Sequence, residues 1–174
     1  MTPASPVQLT TEGTVDWAHW GVNTASDFDH KAAVTPQISN YTLILGGAAQ
    51  RYTNNPVGFT WTDGTPNGTA TNSTTGIYIA GQNNGFRITA PADTTVRTLR
   101  VYVGVWKSQA RLTAHLSDGS AADYVDASLV NSAGTTVGVY TLTYKAAAAG
   151  QTLSITFTQT TSGGNVTIQA ATLQ

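Results

Sequence analysis

Apolar and polar residues alternate along most of the second half of the chain, which is the pattern of strands with one buried face. The odd positions are aliphatic in residues 98–106, whereas the even positions are the apolar ones in residues 111–117. Four more alternating segments follow, at residues 125–129, 140–144, 153–157 and 166–170. Short strands at this spacing predict an all-β domain, a two-sheet antiparallel β-sandwich of the jelly-roll type.

The first half of the chain alternates less regularly, but five segments have the composition of strands. They are residues 15–20, 39–45, 59–62, 76–80 and 86–89. Stretches rich in Gly and Asn separate them, and one of these stretches contains Asn83 and Asn84. Because loops carry function when a rigid scaffold positions them, Asn83 and Asn84 are candidate ligand-binding residues.

The first six residues include Thr, Ser and two Pro residues, which is typical of a linker between domains. We therefore expect residues 1–8 to be a linker remnant and residues 9–174 to form a single domain. A chain of 174 residues is long enough to bury a sizeable core.

Charge is scarce in this sequence and narrows the range of partners. Charged residues are 10% of the chain, against roughly 25% in an ordinary soluble domain, and Thr, Ser, Asn and Gly take their place. The net charge is −1 and there is no basic block, so nucleic acid and anionic membranes are not expected partners. The Cys count of 0 excludes disulfide bonds and thiolate metal sites.

The two opposite alternations at residues 98–106 and 111–117 predict a hairpin with a short loop at residues 107–110. Its non-core face carries an unusual set of side chains: Tyr102, Trp106, Arg111 and His115. Aromatic faces stack on sugar rings, and Arg and His supply hydrogen bonds to hydroxyl groups. These four residues are candidate carbohydrate-binding residues. The alternative is that Trp106 packs under a flanking loop with Arg111 stacked on it.

Residues 16–21 contain two Trp residues, one His and one Asp. Trp17 and Trp20 cannot both lie on one face of a regular strand, because side chains alternate between faces. We expect one of them to pack in the core and Trp20 to reach the rim of the binding site. The alternative is an N-terminal strand that fills the core with both Trp side chains.

The acidic and His residues do not form a recognisable catalytic pattern. Glu12 is the single Glu among nine acidic residues, and most of the Asp residues lie in turn sequences. His19, His30 and His115 lack the spacing of metal ligands, and no Ser lies in a Gly-x-Ser-x-Gly motif. We therefore expect no enzymatic activity.

No cofactor is expected, and the one candidate ion is a structural calcium, because many extracellular sandwiches hold one through Asp, Asn and backbone oxygens. The candidate ligands are two groups of acidic residues, Asp27 with Asp29, and Asp118 with Asp123 and Asp126. The alternative is that these Asp residues cap solvated turns.

Residues 97–118 form a strand, a short loop, a second strand and a Ser-Asp-Gly-Ser turn, and residues 165–173 form a closing strand. This half of the chain resembles non-catalytic carbohydrate-binding modules and galactose-binding-like jelly-roll domains of secreted bacterial proteins. The resemblance implies a polysaccharide or oligosaccharide as ligand, a location outside the cell, and attachment to other domains of a larger secreted chain. We expect the domain to be a monomer.

Two other functions stay open at this point. One is a structural or adhesive spacer domain of Ig-like character without a small-molecule ligand. The other is an accessory lobe of an enzyme, or a small lyase. Exposed aromatic side chains favour the carbohydrate-binding hypothesis over the spacer, and two acidic side chains in one cleft would favour the enzyme.

Overall fold

A computed structural model describes residues 3–174, which consist mainly of β-strands with one turn of helix. In chain order the elements are β1 (Val7–Gln8), α1 (Leu9–Glu12), β2 (Asp16–Trp20), β3 (Phe28–Lys31), β4 (Thr42–Ile44), β5 (Gln50–Tyr52), β6 (Phe59–Trp61), β7 (Gly64–Thr65), β8 (Ala70–Ser73), β9 (Gly76–Ala80), β10 (Gly85–Ala92), β11 (Arg97–Leu116), β12 (Tyr124–Asp126), β13 (Val130–Tyr144), β14 (Gln151–Gln159) and β15 (Asn165–Leu173). Within residues 3–174, no helix is long and apolar enough to cross a membrane.

Two large sheets pack face to face, and the predicted two-sheet antiparallel sandwich is confirmed. The central sheet contains β13, β11 and β15, with β9 and β5 beside one half of β15 and with β2, β3 and β7 beside the other half. The flanking sheet has the strand order β4, β10, β14, β11 and β12. Strand β11 therefore belongs to both sheets.

Strand β11 passes from one sheet to the other without a turn. Its first part, up to Gln109, pairs with β13 in the central sheet, and its second part pairs with β14 in the flanking sheet. Lys107 has a φ of 47°, and the register with β13 shifts between Trp106 and Ser108. The predicted hairpin with a loop at residues 107–110 is wrong. A β-bulge, rather than a turn, switches the alternation from odd to even positions.

The main core lies between the two large sheets and takes aliphatic side chains from both parts of β11. Val101 and Val103 point into it from the central sheet, and Leu112 and Leu116 point into it from the flanking sheet. Burying each such side chain contributes about 1.5–3 kcal/mol. Because of the bulge at Lys107, the aliphatic side chains of both parts of β11 face the core.

A small third sheet covers part of the outer face of the central sheet. It consists of β1, β6 and β8, and its Phe59 and Trp61 pack on Trp17 and Tyr102 in a second core. Val7 in β1 pairs with Phe59 and is buried. The linker predicted for residues 1–8 is therefore wrong for β1, which is part of the fold. Residues 1 and 2 of that prediction lie outside the described residues.

Candidate functional site

Trp106 differs from the other three Trp residues in its exposure. Its side chain is 44% exposed, whereas Trp17, Trp20 and Trp61 are at most 1% exposed. The three buried indole N–H groups donate to Asp63, Asn40 and the Asn67 carbonyl. The indole N–H of Trp106, by contrast, donates to no protein atom within residues 3–174. Trp106 is thus available to an external ligand.

Trp106 forms one wall of a groove on the outer face of the central sheet, in the half that the small sheet leaves open. The groove has a volume of about 380 Å³. The residues that line this aromatic groove are Tyr52, Asn54, Tyr78, Trp106, Thr135, Asn165 and Thr167.

The strand register explains why these side chains meet. In β15, Asn165 pairs with Trp106 of β11, while Thr167 pairs with both Gly104 of β11 and Tyr78 of β9. Tyr78 and Trp106 therefore stand two strands and two residues apart, which places their Cα atoms about 12 Å from each other. Asn165 and Thr167 lie on the strand between these two aromatic walls and form the floor.

Gly104 keeps the floor of the groove low between the two walls. A Cβ atom at this position would lie 2.7 Å from Thr167 Oγ1 and 2.9 Å from the Thr136 carbonyl oxygen. Real Cβ contacts are not this short, so a larger residue would displace the neighbouring strand or Thr167. The sequence therefore needs Gly at a position where a regular strand would carry a side chain.

Hydrogen bonds hold the two Tyr side chains in place. Tyr78 Oη donates to Gln50 Oε1 at 2.7 Å, and Tyr52 Oη donates to Asn55 Oδ1 at 3.1 Å. Gln169 donates to the Tyr52 hydroxyl in turn. Burial raises the pKa of Tyr52 to about 12, so it stays neutral. The two rings meet edge to face, with centroids 6.4 Å apart.

The lining of the aromatic groove carries no charge. Its polar groups are amides and hydroxyls, and within residues 3–174 the side chains of Asn54 and Asn165 have no hydrogen-bond partner in the protein. An amide offers two donors and one acceptor to a ligand. Aromatic walls with open amides and hydroxyls suit a neutral ligand that has both apolar faces and hydroxyl groups.

Two of the predicted binding residues are buried. Tyr102 is 3% exposed, because it packs within the second core, where its hydroxyl donates to Glu12. Trp20 is fully buried in the main core, and its N–H donates to Asn40 Oδ1 at 3.0 Å. The prediction that these two side chains contact a ligand is therefore wrong. Both Trp17 and Trp20 fill cores, one on each side of the central sheet.

Arg111 and His115 are exposed but lie far from Trp106. They belong to the part of β11 that has entered the flanking sheet, and they point outward there, on the opposite outer face of the sandwich. His115 Nδ1 lies 2.7 Å from Asp123 Oδ1. The prediction that these residues share one face with Trp106 is wrong, because the bulge places the two halves of β11 in different sheets.

Asn83 and Asn84 form the tight turn between β9 and β10. Asn83 has a φ of 66°, and its backbone N–H donates to the Gln159 carbonyl at 2.8 Å. Asn84 Nδ2 donates to the Ala80 carbonyl at 2.7 Å. These contacts give both residues a role in the turn, and neither lines the aromatic groove.

Each of the five Asp residues predicted to bind calcium already contacts a polar group of the protein. Asp27 accepts from the Asn23 and Thr24 backbone, and Asp126 accepts from Ser128 and Tyr140. Asp29 accepts a hydrogen bond from Asn67, Asp118 accepts one from Ser120, and Asp123 contacts His115 Nδ1. Among residues 3–174, no three acidic or His side chains cluster as metal ligands would. Calcium binding stays a prediction.

Sequence reasoning missed most of the aromatic groove, namely Tyr52, Asn54, Tyr78 and Asn165. One signal was present, since Tyr78 alternates with Ile77 and Ile79 and so had to face away from the core. The pairing of β9 with β15 and of β5 with β9, which brings Tyr78 and Tyr52 to Trp106, had no counterpart in the sequence pattern.

No family model matches the sequence, and no curated protein matches it. Among solved structures, the K1 cleaved adhesin domain of Lys-gingipain from Porphyromonas gingivalis gives a TM-score of 0.53 at 8% identity, covering 92% of this chain and 98% of that one. The enzymatically active domain of bacteriophage CBA120 tailspike protein 4 gives 0.52 at 15% identity, covering 78% of this chain. The present chain spans 20% of that tailspike chain.

Carbohydrate-binding modules are also among the structural neighbours. A family 61 module solved with β-1,4-galactotriose gives a TM-score of 0.48 at 11% identity, covering 78% of this chain and 88% of that one. The likenesses with scores above 0.5 show the fold and confirm the predicted jelly-roll sandwich. What the domain binds has to be argued from its own groove.

Proposed function

We propose that this domain binds a neutral carbohydrate in the aromatic groove and catalyses no reaction there. The observation that carries the proposal is the exposed Trp106, whose indole N–H has no protein acceptor within residues 3–174 and whose ring borders open amide groups. A sugar ring combines an apolar C–H face with hydroxyl edges. The rings of Trp106 and Tyr78 can stack on the C–H face, and the amides of Asn54 and Asn165 can form hydrogen bonds with the hydroxyl groups.

The preference for a neutral sugar follows from the absence of charge in the groove lining. A uronate or sulfate group would lose its hydration without gaining an ionic partner among the lining residues, which makes its burial costly. Lys107 is outside the lining, and its ammonium group lies 5.0 Å from the centroid of the Trp106 ring.

The absence of catalysis is part of the proposal. Glycoside hydrolysis generally needs two carboxyl groups on either side of the scissile bond, and no Asp or Glu side chain lines the aromatic groove. We also propose that the domain works outside the cell as part of a larger chain. The resemblance of residues 97–118 and 165–173 to domains of secreted proteins supports that setting.

The test is affinity electrophoresis against a panel of soluble neutral polysaccharides, followed by calorimetry with oligosaccharides of the glycan that retards the domain. Replacing Trp106 by Ala should weaken binding at least about tenfold, which corresponds to about 1.4 kcal/mol. The matched control is Tyr124→Ala, because Tyr124 is 47% exposed and lies away from the groove. It should bind as the unchanged domain does.

Two results would contradict the proposal. One is that no neutral glycan retards the domain, which would favour the spacer function instead. The other is that Trp106→Ala and Tyr124→Ala bind a retarding glycan equally well, which would place the ligand elsewhere on the surface.

A further inference from the structure

Strand β13 forms an edge of the central sheet that is open over residues 139–144, whereas Val137 and Gly138 are buried. Over residues 135–144 it pairs residue for residue with β11 on one side. No strand within residues 3–174 pairs with its other side. The backbone N–H and C=O groups along such an edge can pair with another strand.

The other edge strands of the described chain are protected in ways that β13 is not. Strands β1, β4, β5, β7, β8 and β12 are two to four residues long. In addition, β5 contains Arg51 and Pro66 follows β7. Short length, charge and Pro are the devices that keep sheet edges from associating. Residues 130–144 contain no charged residue and no Pro, and β13 is 15 residues long.

A seam between the two large sheets runs along the inner side of this edge. Two clefts of about 440 and 170 Å³ form it, and they share Tyr124 and Leu142. The seam separates β13, at the edge of the central sheet, from β12, at the edge of the flanking sheet. A strand added to β13 would place every second side chain in this seam, because side chains alternate along a strand.

The seam combines apolar and aromatic side chains with Ser and Thr hydroxyl groups, and it contains one charged group. Tyr140, Leu142 and Tyr144 line it from β13, and Leu116 and Leu153 line it from the flanking sheet. The one carboxylate is that of Asp126, which already accepts hydrogen bonds from Tyr140 and Ser128. The occupant that fits this surface is an extended, uncharged segment rich in β-branched and aromatic residues.

We propose that the occupant is β13 of a second copy of this chain, paired antiparallel in a symmetric dimer. Strand β13 carries no charge that would oppose such pairing, and identical antiparallel strands are related by a two-fold axis. Because residues 130–144 carry no charge, the pairing brings no like charges together. The central sheets of the two copies then continue into each other. This proposal replaces the monomer expected from the sequence.

Sedimentation velocity over a range of protein concentrations tests the proposal. The unchanged domain should show a reversible species of twice the monomer mass. The double variant Thr141→Lys with Thr143→Lys should abolish that species, because it places positive charges on the open edge of both copies. The matched control is Thr152→Lys with Ser154→Lys on β14, which is paired on both sides. It should leave the dimer intact.

Circular dichroism and thermal melting establish that both double variants are folded. A second measurement uses the absence of Cys in the chain. Single Cys residues introduced along the open part of β13, from position 139 to 143, should form intermolecular disulfides most readily near the two-fold axis. Cys at position 152 should form none above the background level.

A domain that sediments as a monomer at every concentration would overturn the proposal. A dimer that survives Lys at positions 141 and 143 would overturn it as well. If the unchanged domain is monomeric but its β13 edge binds an extended peptide of different sequence, the edge is a docking site and the self-pairing is refuted. None of these readouts depends on glycan binding.

Discussion

The ammonium group of Lys107 lies 5.0 Å from the centroid of the Trp106 ring, where β11 leaves the central sheet. Lys107 reaches this position because its backbone is left-handed, with a φ of 47°. The same residue therefore forms the bulge that links the sheets and contacts the exposed wall of the aromatic groove.

The left-handed backbone at Lys107 gives a first prediction. An L-residue in this conformation costs about 1–2 kcal/mol, and a β-branched residue tolerates it least. Lys107→Gly should therefore have a free energy of unfolding at least about 1 kcal/mol higher than that of Lys107→Val. Both variants lose the contact with Trp106, so the comparison isolates the backbone. Urea denaturation measures the difference, and equal stability of the two variants would contradict a left-handed residue here.

The exposure of Trp106 gives a second prediction. Acrylamide should quench one accessible component of the Trp fluorescence, since the other three Trp side chains are buried. Trp106→Phe should remove that component and leave the emission of the buried Trp residues. Saturation with a bound glycan should protect the accessible component in the unchanged domain. Quenching that is the same before and after the Phe substitution would show that another Trp is accessible.

His19 gives a third prediction, on acid stability. Its ring is fully buried between Phe59 and Trp61, with centroids at 5.4 and 5.0 Å, and neither nitrogen has a hydrogen-bond partner of standard geometry in residues 3–174. Burial lowers the pKa of His19 from 6.5 to about 3, against a weaker opposing effect of the Thr75 backbone. The folded domain thus keeps His19 neutral, while the unfolded chain binds a proton below about pH 6.5.

Stability should therefore fall as the pH drops below 6.5, by about 2 kcal/mol between pH 6.5 and 4.5. His19→Phe should remove this loss, because Phe fits an aromatic site and does not titrate. His115→Gln is the control, since His115 is exposed and this variant should retain the loss. Urea denaturation at several pH values measures it. If the free energy of unfolding of His19→Phe falls with decreasing pH as steeply as that of the unchanged domain, groups other than His19 cause the loss.

Asp63 gives a fourth prediction, on the hydrogen bonds that attach the small sheet to the central sheet. Its carboxylate accepts from Lys31 at 2.6 Å, from Trp17 Nε1 at 3.0 Å and from Thr10. Burial favours the neutral acid, but these hydrogen bonds outweigh it and hold the pKa of Asp63 below its usual value. Asp63→Ala would leave the Trp17 N–H and the Lys31 ammonium without their partner.

We expect Asp63→Ala to lower the free energy of unfolding by about 2 kcal/mol. Asp63→Asn should cost less, because its amide oxygen can still accept from Trp17. The control is Asp93→Ala, which breaks the similarly exposed pair with Arg97 but leaves no buried indole N–H without an acceptor, and it should cost less than Asp63→Ala. Denaturation at pH 7 ranks the three variants, and equal losses for Asp63→Ala and Asp93→Ala would contradict the prediction.

The alternation of apolar residues was enough to predict the fold class and the core face of β11. It was not enough to predict the bulge at Lys107, because a turn and a bulge both move the apolar residues from odd to even positions. The segment 107–110 has no Gly, Asn, Asp or Pro, and Ser108 is its one residue of a turn-forming type, which favoured the bulge. The hairpin error then placed Arg111 and His115 beside Trp106.

The aromatic groove was predicted in one residue, Trp106, for a related reason. Its partners Tyr52, Tyr78 and Asn165 come from β5, β9 and β15, which are far from β11 along the chain. Periodicity within one segment predicts which face a side chain takes. It contains no information on which strands become neighbours, and that order is what assembles the aromatic groove.

The continuity of β11 also bears on how the domain responds to pulling forces. Its first part is a middle strand of the central sheet, and its second part is a middle strand of the flanking sheet. The two sheets therefore share one covalent backbone and cannot slide past each other or peel apart as separate layers. A load applied at Trp106 passes along that backbone into the flanking sheet, so the domain resists extension as one mechanical unit.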